Sequence, residues 1–325
     1  MYDLISIGDC MIDAFHILED HEINIICNLD KQQCRLCLTY ADKIPVREIH
    51  KLVAGNAANN AVGASRLGLK TAIYTVVGDD LSGEMIKAKL EAEGLAMDYF
   101  VKERGAESNY STVLSYQGER TILVYHSVRS FRWPIMAKAG WVYLTSLPES
   151  GQVALTADLL TYLENHRAKL IYQPGTFQLR LGAEKTSEIL KQTDVLIMNK
   201  EEAEDYLHRE GEPQALLAGL QQLGSKIAVV TDGTKGSYAA DQTSQWFLGT
   251  RPEIARAEAT GAGDAYASGF TAALMIGLPV PEAMRWGTFN AEGVIGQIGP
   301  QAGLLTREAM EHQSSKNPDF QAKLL

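Results

Sequence analysis

The feature that most limits how this chain can fold is the alternation of short apolar runs with helical patterns along most of its length. Runs rich in aliphatic and β-branched residues fall at Leu4–Gly8, Ala72–Gly78, Trp141–Leu147, Leu170–Tyr172, Val195–Met198 and Ile227–Thr231. Helical patterns lie between them at Ala57–Leu67, Ser82–Glu93, Val153–Asn165, Glu201–His208 and Gln214–Leu223. Strands separated by helices are joined by crossovers, and crossovers bring strands together in parallel with helices above and below. The predicted fold is therefore α/β, with a mostly parallel central sheet flanked by helices on both faces. The segments Phe15–Val53 and Tyr99–Tyr125 break the alternation: the first mixes β-branched residues with polar turns, and the second holds strand-like runs split by the hairpin signal Gln117-Gly118-Glu119-Arg120.

Composition narrows the function classes. The chain has 325 residues, 46% hydrophobic and 22% charged, enough to bury a large core. A formal net charge of −10 supplies no basic field for nucleic acid or anionic lipid, so neither is expected as a partner. There is no charged-then-apolar N-terminal signal and no apolar run of about 18 residues, which predicts a cytoplasmic protein. In that setting Cys10, Cys27, Cys34 and Cys37 are expected to be reduced. Cys34 and Cys37 also have metal-ligand spacing, and Cys27 with His21 or His50 could complete a zinc site.

Chemistry concentrates in the run Thr260-Gly261-Ala262-Gly263-Asp264. Gly261, Ala262 and Gly263 let backbone N–H groups approach a phosphate, and a helix opening near Asp264 turns its positive end to the same place. On these residues alone, tight packing at a strand-to-helix turn explains the pattern equally well. In an open α/β sheet, ligands bind beyond the carboxyl ends of the strands. Asp9 and Asp13, Asn199, and Thr231 all follow strand ends. No Gly-x-x-x-x-Gly-Lys-Ser/Thr loop appears, and no Gly-x-Gly-x-x-Gly follows the first strand, which disfavours a P-loop ATPase and a dinucleotide oxidoreductase.

Taken in order, several motifs resemble those of the PfkB, or ribokinase-like, carbohydrate kinases. Thr260–Asp264 resembles the C-terminal signature. Ala54-Gly55-Asn56-Ala57-Ala58-Asn59-Asn60-Ala61 followed by Val77-Gly78-Asp79-Asp80 resembles the N-terminal one. Asn199-Lys200-Glu201-Glu202 is similar to the Asn-x-x-Glu motif, and Thr231-Asp232-Gly233-Thr234-Lys235-Gly236 to the nucleotide loop. The motifs span nearly the whole chain, which implies a single ribokinase-like domain over 1–325. The lid would be a small antiparallel β lid built from about 15–53 and 99–125.

The resemblance implies ATP-dependent phosphoryl transfer to a hydroxyl of a small sugar or sugar-like acceptor. That reaction needs an aligned acceptor, relief of phosphate charge, and a group to take the proton. Asp264 would be the base, with the turn at Gly261, Ala262 and Gly263 as the anion hole. Asp13, Gly55, Asn56 and Asn59 would bind the sugar, with Tyr110 and Arg129 reaching it from the lid. A solvated Arg129 is the blander reading. Asn199, Thr231, Gly233, Gly236 and Asn290 would bind nucleotide, and Glu202 would hold Mg²⁺ through water. Helix capping is the alternative for Asn199 with Glu202. Glu258 stands where the family often has an Asp that helps bind a monovalent cation, so K⁺ activation is expected to be weak. A homodimer is expected. The alternatives are a nucleoside kinase of the same family and a non-catalytic sugar-binding regulator. Ribose, fructose, a keto-deoxy sugar acid, a sugar phosphate and a nucleoside all remain open as acceptors.

Overall fold

The computed structural model describes residues 1–19, 24–27, 34–117, 119–251, 254 and 260–325. Its strands are β1 (Tyr2–Ile7), β2 (Met11–Leu18), β3 (Asn24–Cys27), β4 (Cys34–Cys37), β5 (Val46–Ala54), β6 (Thr71–Gly78), β7 (Ala96–Glu103) and β8 (Asn109–Tyr116). They continue with β9 (Glu119–Tyr125), β10 (Ala139–Leu144), β11 (Lys169–Tyr172), β12 (Thr193–Asn199), β13 (Ile227–Thr231), β14 (Ser237–Ala240), β15 (Gln245–Leu248) and β16 (Lys323–Leu324). The helices are α1 (Asn56–Arg66), α2 (Leu81–Ala92), α3 (Glu149–His166), α4 (Thr176–Lys185), α5 (Ser187–Lys191), α6 (Lys200–Leu207), α7 (Pro213–Gln222), α8 (Ala262–Met275), α9 (Val280–Ile295) and α10 (Arg307–Lys316).

A ten-stranded sheet runs in the order β16-β15-β14-β13-β12-β11-β10-β1-β6-β7. From β13 to β7 every pairing is parallel, and β14, β15 and β16 add an antiparallel edge. Because side chains alternate across a strand, the sheet feeds separate cores on its two faces. Ile5, Ile7, Val142, Leu144, Leu196 and Met198 pack with Leu155 and Leu159 of α3 and Leu216 and Leu220 of α7. Leu4, Tyr143, Ile171, Val195 and Ile197 pack with Phe270 of α8 and Met284 and Phe289 of α9. Burial on both sides explains why these strands read as continuous apolar runs.

The lid is a four-stranded sheet, β5-β2-β8-β9. β5 with β2 and β8 with β9 are antiparallel, whereas β2 and β8 run parallel. The expected lid boundaries shift in two places. β7, which covers Tyr99, belongs to the edge of the large sheet, and β3 with β4 forms a separate two-stranded sheet. That hairpin pairs Cys27 opposite Cys34, and their sulfurs form a disulfide, contrary to the expected reduced pair. Directly opposed strand positions bring Cβ atoms close enough to bond. Cys10 is buried and Cys37 is unbridged. The disulfide takes two of the three cysteines that the zinc alternative needs, and among the described residues no group of three or more His, Cys, Asp and Glu side chains could hold a metal. His21 lies outside the described residues. None of the described helices is long and apolar enough to cross a membrane.

A partly buried ion pair ties α1 to its neighbours. Arg66 donates to Glu93 through Nε at 2.8 Å and Nη2 at 2.6 Å, and Lys89 Nζ reaches the same carboxylate at 2.6 Å. Arg66 Nη1 also donates to the carbonyls of Gln301 at 2.9 Å and Leu304 at 3.1 Å. The Arg66 hydrogen bonds, with Lys89 behind them, hold the Glu93 carboxyl down at about 2. Glu93→Gln is expected to lower unfolding free energy by about 2 kcal/mol at neutral pH, since it leaves a half-buried guanidinium without its charge partner. Because the folded pKa of about 2 lies below the ordinary 4.5, this contribution is complete above that ordinary value and fades as pH falls towards 2. Urea titrations of both proteins across that range should show the gap closing.

Candidate active site

The site forms where strand ends deliver their following residues to one side of the large sheet. α8 starts at Gly261, whose φ of 79° is left-handed, and a Cβ there would lie 2.3 Å from the Pro300 Cβ. Only glycine makes this turn without displacing Pro300. The first bond inside α8 is donated by Ala265 N to Gly261 O at 2.8 Å, and no side chain caps the helix. The N–H groups of Ala262, Gly263 and Asp264 therefore point outward without an intrahelical acceptor.

Asp264 lies in that first turn and is 8% exposed. Its carboxylate accepts hydrogen bonds from Asn59 Nδ2 at 2.8 Å and Asn56 Nδ2 at 3.1 Å, with Gln173 Nε2 at 3.5 Å. Asn56 and Asn59 come from the start of α1. There Gly55 turns with φ 104°, and an added Cβ would meet Asp9 O at 2.5 Å. Burial pushes the Asp264 carboxyl up to about 6, and the bonds from Asn59 and Asn56 restrain the rise. Such a group changes charge near neutrality, as proton transfer requires.

A cavity of about 350 Å³ opens beside the same helix start, lined by Thr231, Gly233, Gly236, Thr250, Gly263, Tyr266, Thr288, Glu292 and Ile295, among others. Arg251 closes one wall through bonds to Glu292, from its N–H at 3.1 Å and Nε at 2.8 Å. Asn199 and Glu202 cap α6 reciprocally: Glu202 N donates to Asn199 Oδ1 at 2.8 Å, and Asn199 N to Glu202 Oε2 at 2.9 Å. Burial raises the Glu202 carboxyl, and the charge of Asp264 adds to the rise.

Several expected residues sit elsewhere. Asn290 is fully buried: its Nδ2 donates to Ala265 O and Ser268 Oγ, and its Oδ1 accepts from Leu305 N. The turn of α9 that lines the cavity is carried by Thr288, Ala291 and Glu292 instead. Tyr110 pairs with Ile12 and packs on the hydrophobic cluster of Cys10, Ile12 and Val77, so it faces away from the side that Asn109 presents. Arg129 is 6% exposed, not solvated, and it donates to Val76 O and, through Nη2 at 3.4 Å, to Asp9 Oδ1. Asp9 also accepts from Asn109 Nδ2, and His126 Nδ1 lies 3.6 Å from it. Asp13 is buried on β2, opposite Leu52 and Ser111. Glu258 lies outside the described residues.

The site thus joins an uncapped helix start to a buried carboxylate and to the cavity beside them. The chain belongs to the pfkB family of carbohydrate kinases, which its sequence matches over residues 1–307, and it is a kinase. It is 28% identical over 288 residues to the 5-dehydro-2-deoxygluconokinase of Geobacillus thermodenitrificans, covering 80% of this chain and 83% of that one. Its fold is similar to that of the Methanocaldococcus jannaschii nucleoside kinase (TM-score 0.77, 20% identity, 97% of this chain and 99% of that one). It is similar too to Arabidopsis thaliana ribokinase complexed with ribose and ATP (TM-score 0.77, 19% identity, 96% and 98%).

Carboxyl-selective ¹³C NMR should find Asp264 titrating near pH 6, and Asn59→Ala should move that midpoint upward by about one pH unit as a stabilising donor is removed.

Proposed function

We propose that this kinase transfers the γ-phosphoryl group of ATP to a hydroxyl of a keto-deoxy sugar acid, with Asp264 taking the hydroxyl proton. The observation that carries the reading is the buried Asp264 carboxylate, fixed by Asn56 and Asn59 at the mouth of a helix whose first N–H groups are open. ATP would occupy the cavity between Thr231, Tyr266 and Ile295, placing its phosphates toward Gly263. The N–H groups of Ala262, Gly263 and Asp264 would then stabilise charge on the transferred group. Asp13 and the Asp9–Asn109–Arg129 cluster would hold the acceptor's polar groups. Asn56 and Asn59 orient the base and remain within reach of the acceptor from α1. The acceptor class rests on the similarity to 5-dehydro-2-deoxygluconokinase.

The donor set fits a hydrated Mg²⁺: Glu202 is a desolvated carboxylate that feels the charge of Asp264, and its Oε1 is unengaged among the described residues. When bound, the ion would offset the charge of the nucleotide phosphates.

Phosphoryl transfer should be measured as ADP formed from ATP in the presence of keto-deoxy sugar acids, ribose, fructose, sugar phosphates or nucleosides. The highest kcat/KM is expected with a keto-deoxy sugar acid; a preference for ribose or a nucleoside refutes the acceptor assignment. Asp264→Asn is expected to lower kcat by at least about a hundredfold with little change in acceptor KM. Near wild-type turnover would remove Asp264 from the base assignment.

We further infer that two copies meet through the lid. β9 is exposed along its whole length at the sheet edge, presenting Ile122 at 41%, Leu123 at 58% and Val124 at 50% exposure. Such an edge is a template for another strand or surface. Light scattering is expected to give twice the 35.6 kDa chain mass, and Leu123→Lys to halve it. A single-chain mass across a wide concentration range would remove this inference.

A further inference from the structure

We propose that Gln301 is a positioning residue for phosphoryl transfer: its side-chain amide fixes the Asn59 amide in the orientation that presents an N–H donor to Asp264. An ionised carboxylate can only accept hydrogen bonds, so Asn59 must turn Nδ2 toward Asp264, where it lies at 2.8 Å. That choice points Oδ1 the other way, into protein, and a buried carbonyl oxygen needs a donor. Gln301 Nε2 supplies it at 3.0 Å. Asn59 is 3% exposed and Gln301 5%, so solvent does not serve either group freely. The two ends of a primary amide have nearly the same shape, so only the neighbours decide which faces the carboxylate.

The loop carrying Gln301 is clamped from both sides. Its backbone carbonyl accepts Arg66 Nη1 at 2.9 Å, and Pro300 sits against Gly261 at the turn of the open N–H groups. Gln301 thus joins the α1 ion pair to the orientation of the base through Asn59. Among the described residues, Glu202 on α6 and Tyr143 on β10 are titratable groups that sense Asp264. Both reach it from other elements, and a change at 301 leaves them in place.

This inference rests on Asp264 as the base, and the test separates the two. Gln301→Met keeps the length of the side chain and removes its donor. The Asp264 midpoint, followed by ¹³C NMR, is expected to rise by about one pH unit from about 6. The rate should then fall about fivefold at pH 6 and stay within about twofold at pH 8, because only the protonated fraction is lost. In an Asn59→Ala background, Gln301→Met should shift the midpoint no further, since the effect travels through Asn59. Gln301→Glu keeps size and polarity but only accepts, so it should invert the Asn59 amide and raise the midpoint at least as much; it carries the same test if the methionine variant does not fold. An unchanged Asp264 midpoint in a folded variant, or an equal loss of rate at pH 6 and pH 8, overturns the positioning role. A midpoint that moves while the rate does not follow it leaves Gln301 in its role and removes Asp264 from the base assignment.

Discussion

A desolvated carboxylate at the start of a helix is the constraint on which the rest of this site depends. Asp264 can only accept hydrogen bonds, and its burial makes each donor matter more than it would in water. The donors therefore fix their own surroundings. Asn59 turns inward and takes a donor from Gln301 behind it, at 3.0 Å. Gln173 turns its Nε2 inward and takes the Tyr143 hydroxyl on its Oε1 at 2.6 Å. Tyr143 stays a donor because burial pushes its pKa well up. The polarity of each amide follows outward from one negative charge, and residues from five parts of the chain become one network. Desolvation and donation oppose each other at Asp264, and the balance leaves its carboxyl raised to about 6.

Helix α1 is the mechanical partner of that charge. Its first turn carries Asn56 and Asn59, 208 and 205 residues away from Asp264 in the chain, and its last residue is Arg66. Arg66 grips Glu93 after α2 and the carbonyls of Gln301 and Leu304. The entry to the helix is fixed just as firmly, since Gly55 lies against the backbone of Asp9 and Cys10. One rigid rod thus sets the register between the end of β1, the lid strand β5 that precedes it, and the glycine turn before Asp264.

What could be read from the sequence was what repeats or what strains the backbone. The parallel strands and the helices between them announce themselves by apolar runs and helical periodicity. The glycine turns at Gly261 and Gly55 stand out because few residues tolerate those conformations, and Asn56 and Asn59 stand out through the resemblance to the family's N-terminal signature. The antiparallel edge of β14 to β16 was silent, its strands being two to four residues long. Gln173, Gln301 and Asn109 were silent as well: a single amide in a loop or strand has no pattern, and its meaning comes only from the tertiary partner. Tyr110 and Asn290 show how small the errors are. In a strand a shift of one position reverses the face, so Asn109 points where Tyr110 was expected. On α9 the neighbours Thr288, Ala291 and Glu292 take the cavity face and leave Asn290 to bond α8. Arg129 read as a surface cation, and Asp9 made it a buried one.

The parallel pairing of β2 with β8 has a consequence for how the protein assembles. Ser111 meets Met11 across 100 residues of chain, and a parallel pair cannot close through a tight turn. The intervening chain includes β6, α2 and β7, which belong to the large sheet and the helix beside it. Loop-closure entropy makes such contacts slow to form on their own. A ribosome will therefore have released β2 long before its partner exists, and β2 and β5 can meet only as a hairpin until β8 emerges. The four-stranded sheet thus cannot be completed before β6, α2 and β7 have been made.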